Sequence, residues 1–236
     1  MSMEIDLNCD LGEGCACDGE LMPLITSASV ACGFHAGDAT TALATLRAAA
    51  AAGVGVGAHP SFNDRANFGR RELDVSEAQV FAECVYQIGA LAALADVAGL
   101  RLSHVKAHGG LYNRACREDA YARAVVAAAE RFGLPLFGLA GSWLEKLSAG
   151  RVAFVAEGFA DRRYQPDGSL VPRSRPDAFV EDPHEAVRQT EELMRTRKVQ
   201  TLCVHGDNPQ ALAFVRQLRA ALAQRGIAVR HFAARA

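Results

Sequence analysis

The 236-residue sequence contains no Gly-x-x-x-x-Gly-Lys-Ser/Thr segment, and its glycine-dense stretch Gly53-Val-Gly-Val-Gly57 leads into His59-Pro60 rather than into a helix. A phosphate cradle needs free backbone N–H groups at a helix N-terminus, so no nucleotide site is expected in this chain. No Lys/Arg run is long enough to make a basic patch, and the formal charge is −2. The electrostatic footprint of a nucleic-acid or anionic-membrane partner is therefore missing. No stretch approaches the roughly 18 uninterrupted apolar residues of a membrane span, and the charged start Met1-Ser-Met-Glu-Ile-Asp6 has no signal core. Nothing read here exports or anchors the chain, and a cytoplasmic location is expected. Zinc-ribbon spacing is absent too: of the seven Cys, Cys15 and Cys17 form one C-x-C and no second pair follows. The odd, scattered count suits a reducing compartment, with Cys32 and Cys203 in predicted strands and Cys84 in a predicted helix acting as small hydrophobes.

What is present is an average globular composition, 50% apolar and 22% charged, in a length that suits one α/β barrel. No repeat, low-complexity tract or linker divides the chain, so one domain over 1–236 is expected. Short apolar runs alternate with Ala-rich helical stretches, the pattern of parallel β/α units. Strands are predicted near 4–9, 27–32, 54–59, 102–108, 134–139, 151–156, 200–205 and 227–232. Helices are predicted over 38–52, 76–99, 117–132, 141–148, 183–197 and 208–225, with Ser76 as an N-cap and Pro183 at a first helical position. Two longer loops, 60–75 and 157–182, stand out. Loops of that size in a barrel usually carry function.

Polar residues collect where strands end. The first strand finishes Asn8-Cys-Asp10 before Glu13, the second in Cys32-Gly-Phe-His35-Ala-Gly-Asp38, and the third in His59-Pro60. Later strands end in Lys106-Ala-His108, Glu157 and His205-Gly-Asp207. In a β/α barrel those C-terminal ends converge on one mouth, where active sites of this architecture lie. Alternation along a strand sharpens this. Ile5, Leu7 and Cys9 share one face, leaving Asp6, Asn8 and Asp10 on the other; His104, Lys106 and His108 share the lumenal face of strand four. Gly55 and Gly57 precede His59 on its own face and leave room beneath an imidazole.

Bland alternatives stand beside these assignments. His104, His184 and His231 read as core or surface residues, Asp10 and Glu13 as helix caps, Asp207 as a helix start, and Lys106 as a salt-bridged lysine. Glu157 and Asp161, with Arg162 and Arg163, also read as an exposed charge cluster. Arg70 and Arg71 are either solvated or grip a substrate carboxylate. Ligands for a divalent ion are present at the mouth, yet no compact motif selects a set, and a metal is left open.

Six ordered motifs spread over the whole chain, Asp6-Leu-Asn-Cys-Asp-Leu-Gly-Glu-Gly14, Ala31-Cys-Gly-Phe-His-Ala-Gly-Asp38, Gly57-Ala-His-Pro-Ser61, Phe68-Gly-Arg-Arg71, Val105-Lys-Ala-His-Gly109 and Cys203-Val-His-Gly-Asp207, resemble the LamB/YcsF family. The departures are Ala107 in place of Pro, Gly110 in place of Ala, and Cys15 and Cys17, which speak against a role for thiols. The resemblance implies an α/β fold, an irregular seven-stranded β/α barrel of the glycoside hydrolase/deacetylase type, so that one of the eight strands lies outside the ring. It implies the A component of an ATP-hydrolysing 5-oxoprolinase that works with subunits B and C to turn 5-oxo-L-proline, with ATP and water, into L-glutamate, ADP and phosphate. ATP and Mg2+ would be bound mainly by the partners, with no cofactor in this chain. On that reading the catalytic set is Asp10, Glu13, His35, His59, Lys106, His108, Glu157, His205 and Asp207. Asn8, Asp38, Arg70, Arg71, Asp161 and Arg162 would contact substrate. His59 or His108 would serve as base oriented by Asp10 and Glu13, and Lys106 would meet the oxyanion. The rival readings are a stand-alone metal-dependent hydrolase or deacetylase, and a non-catalytic binding module.

Overall fold

Eight parallel strands form in chain order in the computed structural model, which describes residues 3–206 and 210–235. They are β1 (Met3–Leu11), β2 (Ser27–Ala31), β3 (Gly55–His59), β4 (Leu102–Val105), β5 (Leu136–Leu139), β6 (Phe154–Phe159), β7 (Thr201–Val204) and β8 (Ile227–Val229). Each strand from β2 to β7 pairs with its neighbours in sequence, and β1 pairs with both β2 and β7, so seven strands close a ring. β8 pairs only with Met3–Ile5 of β1, below the register at which β2 begins, and lies outside that ring. The predicted eighth strand is thus the extra one.

The helices are α1 (Asp18–Leu21), α2 (Ala39–Ala52), α3 (Glu77–Val97), α4 (Gly109–Arg117), α5 (Asp119–Phe132), α6 (Trp143–Ser148), α7 (Pro183–Arg197) and α8 (Ala211–Gln224). Their starts follow side-chain chemistry. Ser76 accepts from the Gln79 N–H and Asp182 from the His184 and Glu185 N–H groups, filling donors that a first turn leaves open. α3 is long and apolar enough to cross a membrane by length and composition alone. Here Val80, Cys84, Ile88, Leu91 and Ala95 make a buried stripe at helical spacing, which the fold uses as a core face.

α1 and α4 are absent from the sequence prediction. α4 is hidden by Gly109-Gly110, which reads as loop. Its tight contact with the 69–72 backbone explains both glycines: a Cβ on Gly110 would lie 2.2 Å from the Arg71 carbonyl oxygen, and Gly109 sits at φ +52° against Gly69. Gly110, a departure from the family pattern, is therefore required by this packing.

The lumen is polar because alternation puts it there. Ile5, Leu7, Cys9 and Leu11 face the helices, while Asp6 accepts hydrogen bonds from Thr26, Ser27 and Thr201. A register shift between Val56 and Gly57 leaves Ser103 as an extra residue in β4. Beyond it His104 enters the lumen, stacked on Phe137 at 4.0 Å between ring centroids, with Gly57 opposite. A Cβ on Gly57 would lie 2.3 Å from that imidazole, which Ser29, Ser103 and Phe137 hold in place. Gly57→Ala is expected to cost about 1–3 kcal/mol by overpacking. Urea denaturation checks this, and an unchanged midpoint would mean that the ring is free to move.

Candidate active site

Four of the predicted groups meet on one side of the barrel mouth. Glu13 follows β1 between Gly12 and Gly14, both at positive φ. His35 sits in the turn after β2, which Arg65 ties down by donating to the Gly33 and Gly37 carbonyls. His59 ends β3, and His108 caps the approach to α4. His35 Nε2 lies 3.1 Å and His108 Nδ1 3.6 Å from Glu13 Oε1, and His59 Nε2 lies 2.9 Å from His108 Nδ1. The rings of His35 and His108 stack at 3.9 Å. Burial is the largest influence on His35, and with His59 beside it pushes that imidazole down to about 3. Burial followed by His59 and His35 holds His108 well below its ordinary value.

Lys106 is the second centre. Its backbone N–H continues the β4 pairing by donating to Ala58 O, which keeps the predicted alternation beyond the end of β4. The ammonium is buried, 2.9 Å from both Asp10 Oδ1 and Glu157 Oε1, 3.0 Å from Asn8 Oδ1 and 3.1 Å from Cys203 Sγ. Burial alone would lower its pKa, but Asp10, Cys203 and Glu157 outweigh it and hold Lys106 charged. The same balance works in reverse on Asp10: burial would raise the carboxyl, and His59 with Lys106 keeps it well below the carboxylate range.

The opposite wall comes from the long loop after β6. That loop folds back on itself, with antiparallel bridges Arg162↔Phe179 and Tyr164↔Leu170. Asp161 accepts from the backbone N–H and from Nδ1 of His205 (2.8 Å), which fixes Nε2 as the basic atom of that ring. Burial would raise Asp161, and the His205 beside it brings it down instead. Arg162 donates to Val171 O; its Nε is buried without a hydrogen-bond partner, and burial followed by the nearby Arg173 lowers it to about 10. Tyr112 on α4 places its hydroxyl beside Glu157, and burial first, then that carboxylate, hold the phenol well above its ordinary value.

A cavity of about 380 Å³ joins these groups, lined by Asp10, Glu13, His59, Lys106, His108, Tyr112, Phe159, Arg162, Arg173 and His205 among others. Arg70 also lines it, stacked over Phe68. His35 and Glu157 lie just beneath the surface of the cavity, holding groups that reach it.

Four predicted contacts fall elsewhere. Asp38 is exposed and caps α2 by accepting from the Thr41 N–H, because the Gly37 turn points it at the helix start. Arg71 is exposed away from the cavity, its carbonyl pressed on Gly110. Asn8 is fully buried below Lys106 and bonds Glu157 and Thr201. Asp161 reaches the cavity only through His205. Asp207 lies outside the described residues. Sequence reasoning missed Tyr112, concealed in the unrecognised α4, and Arg173, whose signal was only its place in the proline-containing loop.

The profile of the LamB/YcsF family matches residues 5–236. The chain belongs to the LamB/YcsF family. A solved relative, the lactam utilization protein from Thermus thermophilus, is 41% identical with a TM-score of 0.88, covering 97% of this chain and 99% of that one. More distant structures share the fold alone. A protein from Enterococcus faecalis named for cellobiose-phosphate cleavage matches at a TM-score of 0.59 and 13% identity, covering 99% of each chain. The catalytic domain of a peptidoglycan N-acetylglucosamine deacetylase from Eubacterium rectale matches at 0.53 and 11%, covering 98% of this chain and 90% of that one. The barrel of this LamB/YcsF protein is thus of the deacetylase-like type expected from its motifs.

Proposed function

We propose that this chain opens a small lactam, 5-oxo-L-proline, as the A component of an ATP-dependent 5-oxoprolinase whose B and C subunits handle ATP and Mg2+. The observation that carries the reading is a cavity at the barrel mouth with a buried, charge-paired Lys106 on its floor and two neighbouring arginines, Arg162 and Arg173, on its wall. Its family membership and the lactam utilization protein that it resembles support the choice of substrate class.

A five-membered lactam is a stable amide, so water attacks only when the carbonyl is activated and the developing negative charge is met by fixed donors. Phosphorylation of the lactam oxygen by ATP on the partners supplies the activation. A water adds to the ring carbon, the C–N bond breaks with its electron pair leaving on nitrogen, and that nitrogen takes a proton. A second water then releases the phosphoryl group from the resulting acyl phosphate. Lys106 sets its positive charge against the phosphoryl-bearing oxygen, which stays on the ring carbon as the C–N bond breaks. His205, oriented by Asp161, carries the proton to the ring nitrogen. Arg162 and Arg173 hold the substrate carboxylate, since an anion between two like charges removes their repulsion and gives the buried Arg162 Nε a partner.

Glutamate release from 5-oxo-L-proline and ATP is to be measured with the isolated chain and with B and C added. Release is expected only from the three-component mixture. Release by the isolated chain without ATP would replace this reading with a stand-alone amide hydrolase.

A further inference from the structure

We infer that Glu13, His35, His59 and His108 form a binding site for one divalent first-row transition ion of the zinc class. The inference stands on hydrogen-bond bookkeeping and is independent of the lactam reading. His59 Nδ1 is 2.8 Å from the Lys106 carbonyl, and His108 Nε2 is 2.8 Å from the Phe68 carbonyl. A carbonyl only accepts, so each of those nitrogens carries a ring proton, and in the neutral ring the other nitrogen is a bare lone pair. His35 Nδ1 is 3.0 Å from Ser61 Oγ, whose single proton is given to Phe62 O. His35 Nδ1 is therefore also the donor, and its Nε2 is bare.

Three lone pairs then face one another and the Glu13 carboxylate, with Asp10 Oδ2 a further acceptor 3.3 Å from His59 Nε2. His59 Nε2 and His108 Nδ1 lie 2.9 Å apart, His35 Nε2 is 3.1 Å from Glu13 Oε1, and the distances from Glu13 Oε1 to His108 and His59 are 3.6 and 4.0 Å. All four donors fall within 4.8 Å of one another. Acceptors do not approach acceptors at such distances unless something positive lies between them. Protons on His59 Nε2 and on Glu13 would bridge the two shortest pairs one at a time. A cation at the centre satisfies all four at once. Metal–donor bonds of about 2.0–2.1 Å in a tetrahedral site put donors about 3.3–3.4 Å apart, inside the range of the four separations above. The outward hydrogen bonds from all three rings are the second layer that orients metal-bound histidines. Phe68 takes an unusual φ of +56° in the turn that delivers its carbonyl to His108.

Donor type sets the class of ion. Three imidazoles and one carboxylate with no thiolate suit zinc or iron(II) over magnesium or calcium. The neighbouring group of Asp10, Cys203 and His205 carries no such site, because the Lys106 ammonium already sits against Asp10 and Cys203.

The test loads the chelator-stripped full chain with Zn2+ and separately with Co2+, then measures metal per chain by elemental analysis, affinity by calorimetry and the Co2+ ligand-field spectrum. One ion per chain is expected. Glu13→Gln, which keeps the shape of the side chain, and His108→Ala should each lower affinity more than a hundredfold. Ser61→Ala, which removes only the partner of His35, should lower it about 10–100-fold. Asp161→Asn should leave it unchanged. Wild-type protein that binds no more metal than Glu13→Gln, or affinity that survives both ligand variants, overturns the site. No substrate enters these measurements, so their failure leaves the lactam assay standing, and failure of that assay leaves the metal result standing.

Discussion

Lys106→Met is expected to abolish glutamate release in the three-component assay and to lower folding stability by about 3–5 kcal/mol, the usual cost of leaving buried charges unpaired. The ammonium is the only cation within contact of both Asp10 and Glu157 among the described residues, at 2.9 Å from each, and both carboxylates are buried. Methionine fills the volume and removes the charge, so two acidic groups would face each other beneath the cavity with Asn8 and Cys203 as neutral company. The two effects separate in a double variant. Lys106→Met with Glu157→Gln deletes one orphaned charge and should recover part of the stability and none of the turnover. Urea denaturation gives the first quantity and glutamate release the second. Stability within about 1 kcal/mol of wild type for Lys106→Met would contradict the buried pairing, and unchanged turnover would take Lys106 out of the site.

Lys106 also shows why the site was legible in the sequence. Strand alternation placed it with His104 and His108 on the lumenal face, and that holds even though β4 itself ends at Val105, because Lys106 and His108 go on donating to Ala58 O and Pro60 O. The mouth was legible because the fold places the C-terminal ends of all barrel strands together. What alternation cannot supply is depth and direction within loops. Asn8 lies one layer below the cavity, and Asp38 turns to a helix end, yet both looked like strand-end polar residues. Arg173 and Tyr112 were missed for the converse reason: their position depends on how the 160–182 loop folds back and on a helix that begins with two glycines. His104 read as an ordinary core residue and is one, although it sits in the lumen beneath the site and decides what fits opposite it.

Acid should unfold the metal-stripped protein in two stages. In the folded chain His35 titrates at about 3, and burial holds His104 and His108 well below the ordinary 6.5. The unfolded chain takes up protons at these imidazoles near 6.5 and the folded chain does not, so stability is full above 6.5 and falls as pH drops through it. Each uncompensated imidazole contributes up to about 1.4 kcal/mol per pH unit. Two carboxyls oppose this. Burial raises Asp18 to about 6 and raises Asp6 despite its three hydroxyl partners. Their stabilising protonation is complete below the unfolded 3.8 and is lost as pH rises through their folded values, so between about 4 and 6 they cancel part of the histidine slope. Below 3.8 the compensation ends, and Asp10 and Asp161, both held low in the folded state, add to the loss as they are forced to protonate. A shallow decline from 6.5 followed by a steep one below about 4 is therefore expected in urea midpoints measured with a chelator present. Asp18→Asn isolates the opposing contribution. It keeps an acceptor for the Gly12 N–H and removes a carboxylate whose Oδ1 is buried without a partner. The variant should be more stable than wild type at pH 7 and should lose stability more steeply between 6.5 and 4. A variant whose stability runs parallel to wild type across that range would show that Asp18 titrates normally and that the buried imidazoles alone set the acid limit.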